Sequence, residues 1–162
     1  MDFVPQFSEA GESQIIDKLL ALVHRDMKPA LDYFYAADAL PDFAAMVRGA
    51  PDVFAYPLLN LALEGMSSRE TENGEWLSQD LTVGAGLIVE DTAVADVHKK
   101  AEKYVRAFKA VVRKGVLELL PESSALVDYT IDIDHRYLRH GSKGTAYQQP
   151  VEFEIKIRFG EK

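Results

Sequence analysis

The chain has 162 residues, 48% of them apolar and 27% charged, with 18 basic against 26 acidic side chains and no cysteine. A chain of this size buries enough surface to fold without a staple, which excludes the disordered and disulfide-stapled classes. The missing cysteines exclude thiolate metal sites, iron–sulfur clusters and cysteine nucleophiles, and the net charge of −8 argues against an autonomous nucleic-acid binder, whose affinity comes mostly from phosphate neutralisation.

A cysteine-free chain fits a reducing compartment. No run of about 18 apolar residues is present, and Met1-Asp2-Phe3-Val4-Pro5 carries no base, so neither a membrane span nor a secretion signal is expected. Residues 1–80 hold 14 acids and 5 bases, and residues 81–162 hold 12 acids and 13 bases. Each copy therefore offers a strongly acidic half and a nearly neutral, base-richer one.

In chain order, Glu12–Met27 reads as an amphipathic helix with Ile15, Ile16, Leu19, Leu20, Leu22 and Val23 on its apolar stripe. Pro29 interrupts it, a second helical piece is expected over Ala30–Ala39, and a short helix or turn over Pro41–Arg48. Gly49-Ala50-Pro51-Asp52 is a breaker cluster. The first strand is expected over Ala55–Leu63, with Pro57 near its start or on an edge. A polar connector, Gly65–Gly74, reads as a mobile loop. Glu75–Glu90 is the second strand, in which Gly84 and Gly86 signal a bend, a bulge or a close approach.

Asp91-Thr92 caps the clearest helix, Ala93–Lys114, whose stripe runs through Val94, Val97, Ala101, Tyr104, Val105, Phe108, Val111 and Val112. Acids precede it and Arg113-Lys114 close it, matching the macrodipole. Val127–Ile133 and Val151–Phe159 alternate strictly between apolar and polar residues, as half-buried antiparallel strands do. Arg139–Gly144 between them reads as a hairpin-like loop. The order α-α-β-β-α-β-β gives an α+β fold with a four-stranded, mainly antiparallel sheet covered on one face by the long helix. One domain is expected over residues 1–162, helical over 10–48 and a sheet-and-helix core over 55–160.

Catalytic signals are weak. His24-Arg25-Asp26 matches a kinase triplet in letters only, and Gly84-x-Gly86 sits inside a strand without a third glycine. Ser67-Ser68 and Ser123-Ser124 have no neighbouring histidine to activate them. Asp132, Asp134, His135 and His140 are the one constellation able to suggest a divalent cation or general acid–base work, but His135 has the opposite parity to the two aspartates and the ligands diverge. No metal and no cofactor is expected. The long helix carries Lys99, Lys100, Lys103, Arg106, Lys109, Arg113 and Lys114 on or beside its outer face.

The layout resembles the bacteriophage tail terminator (tail completion, neck) family. The matching pieces are the helix Ile15–Val23, Tyr56-Pro57-Leu58-Leu59, the strand Glu75–Glu90, the helix text Tyr104-Val105-Arg106-Ala107-Phe108 and the strand Val151–Phe159. The helical region Pro29–Arg48 is longer than a minimal member requires. The resemblance implies a structural virion protein without catalytic residues, assembling as a homo-oligomer, commonly a six-fold ring, that caps the tail tube and joins it to head–tail connector proteins. It also implies a location in the virion, with assembly in the bacterial host cytoplasm. Interface candidates are Arg69, Glu70, Glu72, Lys99, Lys103, Arg106, Arg139, His140 and Lys143. Two other readings stand beside it: a small α+β enzyme or ligand-binding domain with its site near Asp132 and His135, and a regulatory module using the basic helix face.

Overall fold

The computed structural model describes residues 2–7, 9–50, 52, 54–70, 74–119 and 126–161. Among them are two long helices and six strands. Helix α1 spans Glu12–Tyr35 and helix α2 spans Val94–Gly115. The strands are β1 (Ala45–Arg48), β2 (Leu58–Glu70), β3 (Leu77–Asp91), β4 (Leu126–Tyr137), β5 (Gly141–Lys143) and β6 (Ala146–Glu161). They form one mixed sheet in the order β1-β2-β3-β6-β4, with β5 paired to β6. The fold is α+β, but the sheet has six strands where the sequence predicts four, and two helices share its covered face.

Three differences have local causes. Helix α1 runs through Pro29 without a break. An interior proline costs a helix about 3 kcal/mol, but Met27 and Leu31 on either side are fully buried, and their burial holds the turn together. The expected second helical piece is thus the end of α1, followed by one 3-10 turn over Ala36–Asp38 that closes on Ala39 at φ 48°. The expected helix or turn over Pro41–Arg48 is instead strand β1, parallel to β2. Ala44 N–H donates to the Pro57 carbonyl at 2.8 Å, so the residue next to the cis Tyr56–Pro57 bond starts the ladder. Strand β2 runs on to Glu70, so residues 65–70 of the expected mobile loop are paired with β3. Thr71, Glu72 and Asn73 lie outside the described residues.

The parity pattern sorts the sheet into two faces. Leu81, Val83, Ala85, Leu87 and Val89 of β3 and Val151, Phe153, Ile155, Ile157 and Phe159 of β6 point to the helices and are buried. Helix α2 lies over β3 and β6, while α1 lies beside it over β2. Phe108 packs edge-on against Phe153 with centroids 4.8 Å apart. Tyr104 is fully buried, and its hydroxyl donates to the Pro41 carbonyl; burial raises its pKa. Helix α2 ends with a 3-10 turn over Val116–Leu119; Leu120 and Pro121 lie outside the described residues.

The opposite face has no layer over it among the described residues. Ser67, Asp80, Arg158 and Thr130 stand in one row across four strands. Arg158 donates to Asp80 at 2.6 Å, Arg136 to Glu152 at 2.8 Å, and Lys156 pairs with Glu154 at 3.1 Å. Pro150 falls where the edge of β6 passes from β4 to β5, a gap in the ladder where its missing N–H is not needed. The hairpin between β5 and β6 turns at Gly144, φ 62°, within the expected loop Arg139–Gly144.

Candidate assembly surfaces

The sheet is open at both ends. Strand β4 pairs with β6 on one side, and among the described residues no strand lies outside it. At the other end β1 covers only Leu58–Leu61 of β2, so residues 62–70 have β3 on one side and, among the described residues, no strand on the other. Each such edge presents unpaired N–H and C=O groups that can accept a further strand. A bulge between Leu63 and Gly65 changes the twist where the β2 edge becomes free. Gly84 and Gly86 of β3 accommodate this region: the Glu64 and Asn60 side chains of β2 occupy the space a Cβ would need.

The expected interface residues fall on three separate surfaces. Arg69 and Glu70 are exposed at the end of the free β2 edge, and Glu72 lies outside the described residues. Arg139 and His140 are exposed in the short link after β4, and Lys143 is exposed at the end of β5. These three continue the β4 edge rather than forming a long loop.

Lys99, Lys103 and Arg106 sit on α2, but that helix does not show a bare basic face. Lys99 is exposed. Lys103 pairs with Asp38 at 2.8 Å and stands 5.6 Å from the Tyr35 ring centroid. The Arg106 guanidinium lies 4.2 Å from the Phe34 ring centroid, a contact worth about 0.5–1 kcal/mol when exposed. Lys100 turns back to donate to the Glu90 carbonyl at 3.0 Å. Charges that read as one solvated stripe are thus shared with the end of α1, because α1 flanks α2.

That flank contains a feature the sequence reading did not find. Pro29, Ala30, Tyr33 and Phe34 of α1 and Ala110 and Val111 of α2 line an apolar groove of about 320 Å³, with Asp26 and Lys114 at one end. Tyr33 is 83% exposed. The run Tyr33-Phe34-Tyr35 was the available signal, since three consecutive aromatics cannot all face the core of one helix.

The constellation around Asp132 does not converge. Asp132 and Asp134 are exposed on the open sheet face. His135 points the other way, its ring 5.9 Å from that of Phe153 and 5.4 Å from that of Tyr137. Burial, then the nearby Lys109 cation, holds the His135 pKa below 6.5, with Asp134 opposing. His140 lies beyond the strand, in the link to β5. An open concavity of about 430 Å³ touches Asp134, His135, Arg136 and Glu152, but Arg136 and Glu152 are occupied with each other. Among the described residues no group of three or more His, Asp or Glu side chains is placed to hold a metal ion. Ser123 and Ser124 lie outside the described residues.

No protein-family model and no curated protein matches this chain. Among solved structures it is similar to a chain of the "Virion of native gene transfer agent (GTA) particle", with a TM-score of 0.42 and 12% identity over 98% of this chain and 100% of that one. That overlap is too loose to transfer an activity or an assembly. No helix is long and apolar enough to cross a membrane among the described residues.

Proposed function

We propose that this chain is a structural protein of a phage or prophage virion, of the tail-terminator kind, that assembles through its sheet edges into a ring at the tail end or head–tail joint. The observation that carries the reading is the sheet left open at both ends, at β4 and at residues 62–70 of β2. The two edges are unlike, so joining one to the other is a heterologous contact, and a heterologous contact closes into a ring when its rotation divides a full turn. The two edges also carry different charged residues, Arg69 and Glu70 at the end of β2 and Asp128, Asp132, Asp134 and Arg136 on β4. A role of this kind requires no catalytic residue and no cofactor, and its partners are further copies, the tail tube and the connector. The protein would reside in the virion after assembly in the host cytoplasm.

Light scattering over a concentration series, with and without purified tail tubes, tests the reading. The expected result is a monomer-to-oligomer equilibrium, six-fold in the closed form, that tubes pull towards the ring and that Arg69→Glu weakens. A strict monomer that ignores tubes at every concentration overturns it.

A further inference from the structure

The described residues before α1 form an arm without helix or strand, and its beginning is apolar and bare: Phe3 is 88% exposed and Val4 83%. Further along, the arm is tied down. Gln6 Nε2 donates to the Gly74 carbonyl at 2.6 Å, Phe7 is 9% exposed, and Ala10 N–H reaches Gln79 Oε1 at 3.5 Å. The groove between α1 and α2 is lined mostly by apolar side chains and includes Tyr33, which is 83% exposed.

The arm leads away from the groove of its own copy. From Glu12, where α1 begins, Ala30 lies about 27 Å along the helix axis. Beyond the tether at Phe7, the chain back to Phe3 spans at most about 14 Å even when fully extended. The arm also leaves α1 in another direction, from Gln79 at Ala10 to Gly74 at Gln6. Charge favours the contact between copies. Residues 2–5 contain Asp2 and no base, while the groove is bordered by Lys114 and by Arg106 on Phe34, its one acid, Asp26, being paired with Arg25 at 2.8 Å.

Resting on the reading that copies of this chain associate, we infer that the α1–α2 groove receives residues 2–5 of a second copy, with Phe3 inserted between Ala30, Phe34 and Val111. Asp2 then lies towards the basic border, and Pro5 keeps the segment extended with fewer unfolded alternatives to lose. The arm thus fastens neighbours at a surface separate from the sheet edges.

The cysteine-free chain suits a disulfide trap. Val4→Cys with Ala30→Cys, or with Ala110→Cys as a second pair should the first fold poorly, is oxidised at a concentration where light scattering shows oligomer. The expected product is a reducible ladder of linked chains, and Phe3→Ala added to either pair weakens the linkage about tenfold, the burial of one aromatic side chain at the low end. Oligomer without a ladder in both pairs overturns the arm contact and leaves the edge-built ring standing. A link confined within single chains overturns it as well. Absence of oligomer at every concentration overturns both.

Discussion

His135 occupies the boundary between a wet sheet face and a dry one. Its ring meets Phe153 and Tyr137, with Lys109 of α2 and Asp134 of its own strand as the nearest charges. Because its pKa in the folded chain lies below 6.5, the unfolded chain takes up the proton first as pH falls. Stability is therefore fully present above the ordinary histidine range and declines through it. Melting curves at about pH 8 and about pH 5.5 should show a smaller loss for His135→Gln than for the parent, since the variant has nothing to titrate there. An equal loss would place the charge-sensitive group elsewhere. At this scale much was legible in the sequence: parity alone separated His135 from Asp132 and Asp134. Gly84 and Gly86 announced a close approach, but not that Glu64 and Asn60 supply it, because both side chains come from another strand, Asn60 as the paired neighbour of Gly86 and Glu64 from the bulge.

Helix α2 is held by apolar contact with two strands, and Phe108 sits at its centre, fully buried against Phe153. Phe108→Ala should cost about 3–5 kcal/mol, measured by denaturant unfolding, with α2 loosened from β3 and β6. A loss below about 1 kcal/mol would mean that the layer closes over the cavity at little cost. The elements the sequence announced well, α2, β4 and β6, carry their own period over many residues. Those it missed depend on partners. Strand β1 has four residues and exists because Pro57 and the start of β2 offer it a ladder. The end of β2 has almost no apolar residue to mark it and is a strand through pairing with Leu77–Thr82. Helix α1 survives Pro29 through contacts with α2 that no local pattern reveals.

The protein as a whole is a two-layer molecule, helices on one face and a polar sheet surface on the other. Amide hydrogen exchange should reflect this. Strands β3 and β6, paired on both sides, should exchange slowest, and the outer amides of β4 and residues 62–70 fastest. On raising protein concentration, new protection should be greatest at those two edges and at residues 2–5. Protection gained instead along the open sheet face would replace the edge-built ring with a face-to-face assembly. The strand order has a further consequence, for synthesis. Strand β6 is the last element, yet it is the central partner of both β3 and β4. A chain emerging from the ribosome therefore carries β3 and β4 as exposed, unjoined halves until residues 146–161 are free to slip between them. The sheet closes only when β6 arrives, and a nascent chain stalled before that step is the species most exposed to aggregation.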